Sequence, residues 1–244
     1  MKILAFDTSN QPLSVAIIEN ENIITEQLIN IRRNHSIQLM PAIDEAFKEA
    51  ELTISDIDRI AVASGPGSYT GLRIAVTIAK SLAWAKEIEL VGISSLKVLA
   101  SNILENNCLI VPIFDARREN IYTGLYIRDE DGNLVQLIED MHVSAIEWAD
   151  LLSQQEGTQK VKLVGSDASS FIKTFQEKLG NRVQLASPSQ NLPRASILGF
   201  LAQNEEKTPA HALVPTYLKL AEAEENWLKE HPEFKGDDFV EKIK

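Results

Sequence analysis

Two short stretches of the chain carry residue types that could hold a phosphate group. The first is the glycine loop "GPGSYTG" at 65–71, which leads from an apolar strand into an apolar helix, where free backbone amides can bind an anion. A Walker-type loop would continue with a Lys–Ser/Thr pair, but Leu72 and Arg73 follow here, and Thr70 stands where a dinucleotide loop would have its third glycine. The spacing therefore favours a loop that only turns the chain. The loop residues that could still contact a phosphate are Gly65, Gly67 and Ser68.

The second stretch is Asp7-Thr8-Ser9, which ends the first predicted strand. An aspartate there, before a small turn and a second strand, resembles in outline the first phosphate loop of the actin-like ATPases, in which the aspartate acts through magnesium. Ser9 stands where those loops usually carry glycine, and the matching loop of the second half, "VGSDASS" at 164–170, keeps a single glycine. These residues indicate an actin-like frame with a degraded ATP site. A small-molecule kinase or ATPase that uses Asp7 is the alternative function.

The sequence contains no other recognisable catalytic pattern. The four histidines form no H-x-x-x-H pair, no G-x-S-x-G motif occurs, and the single cysteine, Cys108, precedes a hydrophobic strand. We therefore expect no catalytic residue, no metal site and no cofactor. The charged segment "DARREN" at 115–120 follows a strand end, and it is either part of a substrate pocket or a solvated turn.

The composition argues against a protein that grips nucleic acid by itself. Of the 244 residues, 24 are basic and 35 are acidic, which gives a formal net charge of −11, whereas phosphate binding needs a basic face. This balance leaves open a basic protein partner. The first charge after Lys2 comes after only four apolar residues, too few for a signal peptide, and no run approaches the roughly 20 apolar residues of a membrane span. We expect a cytoplasmic protein with no membrane contact.

The order of the predicted elements indicates an internal duplication. Strands at 3–7 and 13–19 are matched by strands at 109–115 and 121–127, and each pair is followed by an amphipathic helix, a strand that enters a glycine loop, a helix, a short strand and a further helix. A single α/β sheet in which such elements alternate is the alternative. The predicted division is an N-terminal lobe over 1–105, a C-terminal lobe over 106–210, a helix over 214–230 that packs back on the first lobe, and an acidic tail over 231–244.

Two helices of the first half carry more apolar surface than one core needs. In the helix at 71–86, a narrow polar stripe contains Arg73, Thr77 and Lys80, and Trp84 falls inside it. In the helix at 36–50, Phe47 belongs to the core face, while Ile37 and Met40 lie toward its edge. Either helix alone could simply have apolar residues at a core margin, but two neighbouring helices of this kind favour a partner interface. The predicted interface residues are Ile37, Met40, Phe47, Arg73, Thr77, Lys80 and Trp84.

Four segments, in order and at the expected separations, closely resemble the bacterial TsaB family, formerly called YeaZ. They are "MKILAFDTSNQPLSVAII", "GPGSYTGLRIAVTIAKSLA", "DARRENIYTGLY" and "LVPTYLK". The resemblance runs from residue 1 to about residue 220. The departures are Tyr69, where the loop often carries phenylalanine, the sequence "VGSDAS" in place of a turn richer in glycine, and the long acidic tail.

The resemblance implies a duplicated α/β fold of the actin-like, ribonuclease-H-like (ASKHA) class with two lobes. It implies a non-catalytic subunit in the synthesis of N6-threonylcarbamoyladenosine in tRNA, with the larger paralogue TsaD as catalyst and TsaE as an ATPase that docks on the pair. The family interface is built from the helices that here are 36–50 and 71–86. A homodimer is expected when the partner is absent, and tRNA is expected to contact this chain only indirectly.

Overall fold

The structure is a computed structural model that describes residues 1–31, 34–155 and 158–219, and its frame is a pair of mixed sheets. The first sheet contains β1 (Lys2–Asp7), β2 (Leu13–Glu19), β3 (Asn22–Ile29), β4 (Arg59–Gly65) and β5 (Glu89–Ser94), in the order β3-β2-β1-β4-β5. β1 pairs antiparallel with β2 and parallel with β4, so that Asp7 lies opposite Ser14 and Phe6 opposite Val62. The carboxyl ends of β1 and β4 therefore meet at one edge of the sheet.

The second sheet repeats this plan. It contains β6 (Cys108–Pro112), β7 (Phe114–Arg117), β8 (Asn120–Arg128), β9 (Leu134–Ser144), β10 (Lys160–Val164) and β11 (Val183–Leu185), in the order β11-β10-β6-β8-β7, with β9 also paired to β8. β6 pairs antiparallel with β8 and parallel with β10, as β1 does with β2 and β4. The predicted duplication is confirmed at the level of topology, and a single sheet is excluded for the described residues.

The structure divides one predicted strand and adds two others. The stretch at 109–115 forms β6 and β7 rather than one strand, because its pairing changes: β6 pairs with β10 up to Pro112, whereas Phe114 of β7 pairs with Tyr122 of β8. β3 and β9 were not predicted. β3 has half-buried and exposed residues on both faces instead of a clear alternation, so its pattern does not identify a strand.

Six helices cover the two sheets in the described part of the chain. They are α1 (His35–Ala50), α2 (Tyr69–Lys86), α3 (Ser95–Ala100), α4 (Ala145–Gln154), α5 (Ala168–Leu179) and α6 (Ala195–Ala202). α1 and α2 pack side by side on the first sheet, in one core cluster with Leu39 and Ala79. α4 and α5 cover the second sheet around Trp148 and Phe175, both fully buried. Across residues 1–31, 34–155 and 158–219, no helix is long and apolar enough to cross a membrane.

The last helix of each half packs across to the other half. α6 lies on the free face of the first sheet, where Ala195 and Leu198 join the core formed by β1 and β2. α3 lies between the sheets, with Val98 packed on the first and Leu96 on the second. Because of this exchange, each lobe is completed by a helix of the other, and the chain division at residue 105 stays a prediction.

The predicted helix over 214–230 is wrong for its first part. Residues 214–217 have no regular secondary structure and 218–219 form a bend. Pro215 has no backbone N–H, and the amide of Thr216 donates to the carbonyl of Ser64, near the end of β4, at 2.7 Å. The rest of that helix, 220–230, and the predicted tail over 231–244 lie outside the described residues.

Candidate docking surface and interlobe cleft

Both predicted phosphate loops lie at the carboxyl edge of the first sheet and touch each other directly. The amide of Ser68 donates to the carbonyl of Ser9 at 2.7 Å, and the hydroxyl of Thr8 donates to the carbonyl of Gly71 at 2.8 Å. A Cβ atom on Gly67 would lie 2.1 Å from the carbonyl oxygen of Ser9. The glycine loop therefore turns the chain, and its close approach to the first turn sets where α2 begins.

Asp7 lies behind these loops rather than facing solvent. Its side chain is 1% exposed, and its Oδ1 accepts the amide of Ser9 at 2.7 Å. Its Oδ2 has no hydrogen-bond partner among the described residues. Burial raises the pKa of the Asp7 carboxyl above its ordinary value, and the hydrogen bond from the Ser9 amide and the charge of His35 oppose that rise. The carboxylate form is therefore disfavoured at the position where an actin-like ATPase would need it.

A cleft of about 530 Å³ separates the turns of the two sheets. Of the predicted phosphate-loop residues, Ser9, Gly67 and Ser68 line it, whereas Asp7, Thr8 and Gly65 do not. The "DARREN" segment forms part of the opposite wall. Asp115 accepts the amide of Arg117 at 2.7 Å and pairs with its guanidinium at 3.2 Å, so these two charges largely satisfy each other. Three consecutive residues of this turn have left-handed φ angles, namely Arg117, Arg118 and Glu119.

The predicted interface residues lie on the outer faces of α1 and α2. Trp84 is 80% exposed in the last turn of α2, Ile37 is 69% exposed in the first turn of α1, and Met40 is exposed one turn further along α1. Arg73 and Thr77 are also exposed, on the same stripe of α2 as Trp84. Phe47 differs, because it is half-buried against the first core. The outer faces of the two helices thus expose large apolar side chains next to polar and charged ones, and no described residue covers Ile37, Met40 or Trp84.

A segment that the sequence did not connect with this face runs beside α2. We call residues 207–219 the strap. At one end, Ala210 lies next to Trp84 across a groove. Further along, the Lys80 ammonium donates to the carbonyl of Leu213 at 2.7 Å, so that this predicted interface residue also holds the strap in place.

Aromatic side chains join the other end of the strap to the start of α2. The rings of Tyr69 and Tyr217 have their centroids 4.9 Å apart, and both side chains are exposed. Neither tyrosine was predicted as a site residue, although Tyr69 is in the glycine loop and Tyr217 is in the "LVPTYLK" segment. Each tyrosine has a threonine next to it in the sequence, Thr70 or Thr216, but no sequence pattern indicates that the two segments meet.

These features define a class of protein. Two sheets of the same topology, two strand-end turns that face each other across a cleft, and helices on the outer faces make an actin-like protein with two lobes. In its first lobe, the strand-end aspartate is buried and a pair of helices is left uncovered.

Comparison with known proteins agrees with this class. The sequence model of a family described as "TsaD: tRNA N6-adenosine threonylcarbamoyltransferase" matches residues 22–227. The "tRNA threonylcarbamoyladenosine biosynthesis protein TsaB" of Bacillus subtilis is 40% identical over 229 residues, which are 94% of this chain and 99% of that protein. The TsaB protein of Escherichia coli is 32% identical over 134 residues, 54% of this chain and 58% of that one. The solved structure of YeaZ from Pseudomonas aeruginosa superposes with a TM-score of 0.74 at 25% identity, covering 89% of this chain and 99% of that chain. This chain belongs to the TsaB (YeaZ) family, within the wider group that the TsaD model describes.

The contact between the loops predicts a specific cost for Gly71→Ala. A Cβ atom at this helical position would lie 2.0 Å from the carbonyl oxygen of Thr8, a backbone atom that cannot move aside easily. We expect the free energy of unfolding to fall by about 1–3 kcal/mol, although alanine favours a helix more than glycine does. The matched control is Gly199→Ala in α6, whose Cβ would meet the flexible tip of Ile18 at 2.9 Å. Equal urea midpoints for the two variants would contradict this account.

The raised pKa of Asp7 predicts a pH dependence of stability. A carboxyl whose pKa is higher in the folded state binds its proton more tightly there than in the unfolded chain, where the ordinary value is 3.8. Its contribution is therefore complete below that value and is lost as the pH rises through the raised pKa. We expect the unfolding free energy of the wild-type chain, relative to that of Asp7→Asn, to decrease as the pH is raised above about 4. Because the charge of His35 opposes the rise in the pKa of Asp7, the comparison is repeated in a His35→Gln background. If the unfolding free energies of the two proteins, measured by urea titration, differ by the same amount at every pH, the raised pKa of Asp7 is refuted.

Proposed function

We propose that this chain is a non-catalytic scaffold subunit that pairs with a TsaD protein and recruits a TsaE ATPase, for threonylcarbamoylation of the adenosine 3′ of the anticodon in tRNA. The observation that carries the proposal is the exposure of large apolar side chains on the outer faces of two neighbouring helices: Ile37 and Met40 on α1, and Trp84 on α2. Family membership links the chain to this modification, because its relatives are named for tRNA threonylcarbamoyladenosine biosynthesis.

The energetics of Trp84 support a docking role. A tryptophan buries about 150–250 Å² when it is covered, which corresponds to a gross gain of about 4–6 kcal/mol at about 25 cal/mol/Å². Association entropy and desolvation must be subtracted from that gain. Tryptophan and arginine are the residue types that most often dominate interfaces, and Arg73 lies on the same stripe of α2. When the partner is absent, the same face is expected to pair two copies of this chain.

The state of Asp7 supports an accessory rather than a catalytic role. An ATPase of the actin-like type would need an ionised carboxylate that reaches solvent and magnesium, whereas the carboxyl of Asp7 is buried and its pKa is raised. The amide of Ser68, which could otherwise meet a phosphate, donates to Ser9 instead. The chemistry of the modification is then assigned to the TsaD partner.

Single substitutions on the exposed face should break the pairing and leave the fold intact. Trp84→Asp and Met40→Asp each put a charge into the proposed interface, and the affinity for purified TsaD should fall by at least about 100-fold, or about 2.7 kcal/mol. Both side chains are exposed in the free chain, so the melting temperature should change little. Leu104→Asp, at an exposed leucine of the loop before β6, is the matched control. Unchanged binding by a folded Trp84→Asp/Met40→Asp double variant would remove these helices from the interface.

The kinase or ATPase alternative makes the opposite prediction for nucleotide. The cleft at the two turns is roomy enough for a small ligand, at about 530 Å³, so the alternative is tested directly. We expect calorimetry of the isolated chain with magnesium and millimolar ATP to give no binding signal, with or without Asp7→Ala. Saturable magnesium-dependent binding that Asp7→Ala abolishes would establish the alternative and displace the scaffold proposal.

A further inference from the structure

α2 and the strap form a region without acidic residues on a strongly acidic protein. Within Tyr69–Lys86 and 207–219 there are five basic residues and no Asp or Glu, although the whole chain has a net charge of −11. Lys207 is neutralised by Glu89 at 2.9 Å. The other four basic residues form no ion pair with any residue that the structure describes: they are Arg73, Lys80, Lys86 and Lys219.

Of these four cations, Arg73 is held in a fixed position by a neighbouring side chain. The Arg73 guanidinium lies 4.9 Å from the centroid of the Tyr69 ring and donates to its hydroxyl at 2.8 Å. Tyr69 is itself packed on Tyr217 of the strap. An arginine that is stacked and hydrogen-bonded in the free protein loses less side-chain entropy when a carboxylate binds it.

The strap contributes apolar surface beside α2. We call the outer face of α2 together with the strap the ridge. Leu213 joins the first core. The next residue, Val214, is 66% exposed. At the other end of α2, Trp84 stands between two grooves of about 570 and 260 Å³, and Ala210 of the strap lines both. The ridge is therefore continuous from Trp84, along the strap, to the pair of tyrosines.

We propose that the docking surface includes the strap, and that the partner covers this ridge with an acidic face that supplies carboxylates to Arg73 and apolar groups around Val214 and Trp84. This inference rests on the proposed pairing with TsaD and specifies the chemistry of the partner's surface. The acidic composition of the whole chain leaves open a basic partner, but the local charge of the ridge has the opposite sign.

A protein partner fits the ridge better than RNA does. A phosphate backbone is held by many cations along one face, whereas here Lys80 is already bound to carbonyls of the strap and Arg73 is stacked on the Tyr69 ring. The groove beside Trp84 has an apolar part formed by Ile88, Leu90 and Pro209, which suits apolar side chains. Its charged lining residues are Glu87, Glu89 and Lys207, of which the last two pair with each other. Trp, Tyr and Arg together are typical of protein interfaces.

The test uses two charges of opposite sign at one exposed position. The side chain of Val214 is apolar and mostly exposed, so Val214→Asp and Val214→Lys should both fold, which their melting temperatures would check. Binding to purified TsaD should weaken about 10-fold or more for Val214→Asp, and less than about 3-fold for Val214→Lys. The affinity of the wild-type chain should fall as NaCl is raised from about 50 to 500 mM. Leu104→Asp and Leu104→Lys, at an exposed loop position, should both bind as the wild type does.

The outcomes separate this inference from the proposed function. Loss of binding by Trp84→Asp with normal binding by Val214→Asp would keep the pairing and remove the strap from the interface. If Val214→Asp and Val214→Lys weaken the binding of TsaD equally, the proposal that the partner's face is acidic is overturned. Unchanged affinity for TsaD, with less tRNA retained by the Val214→Asp complex, would overturn the inference in favour of a nucleic-acid contact. No binding by the wild-type chain would overturn the proposed function and this inference together.

Discussion

The architecture of the first lobe depends on the approach of two backbone turns that only glycine permits. Gly67 faces the carbonyl of Ser9, and Gly71 faces the carbonyl of Thr8, each at a distance that leaves no room for a Cβ atom. Two hydrogen bonds close the same contact, one from the Ser68 amide and one from the Thr8 hydroxyl. Since α2 starts at this point, the contact fixes the helix against the sheet. The ridge that α2 shares with the strap is then presented in one orientation before any partner arrives, which lowers the entropy cost of docking.

The same contact uses backbone groups that could otherwise bind a phosphate. The helix N-terminus after a glycine loop offers amides to an anion in nucleotide-binding folds, but here the Ser68 amide is used internally. Asp7 is enclosed by the packed turns, and the resulting desolvation raises the pKa of its carboxyl. The fixed placement of α2 and the raised pKa of the Asp7 carboxyl therefore have a common origin. The proposed scaffold role uses the surface that this contact fixes.

The sequence predicted what depends on local periodicity and missed what depends on contacts between distant segments. α1 and α2 were found within two residues of their ends, and the exposure of Trp84 followed from its place on the helical wheel, because both depend on a 3.6-residue period. The position of the strap depends on Lys80 reaching the carbonyl of Leu213, 133 residues away, for which no pattern exists. The complete burial of Asp7 likewise depends on neighbours from other elements, whereas the packing of Phe47 on the first core followed from its place on the helical wheel. β3 was missed because its residues do not alternate between buried and exposed.

The joint between the lobes distinguishes this frame from one built to open and close around a ligand. α6 of the second half is part of the first core, and α3 packs on both sheets. A polar cluster adds to this joint: the Ser94 hydroxyl at the end of β5 and the Tyr126 hydroxyl of β8 both donate to the carboxylate of Asp140, the latter at 2.5 Å. Burial raises the pKa of the Asp140 carboxyl, and the hydrogen bonds from Ser94 and Tyr126 oppose that rise. Domain closure would have to separate both the exchanged helices and this cluster, at the cost of exposing apolar surface and unpaired polar groups. Apolar packing and buried polar contacts thus hold the two lobes together, so a partner that binds the ridge of the first lobe, as proposed, would also fix the position of the second.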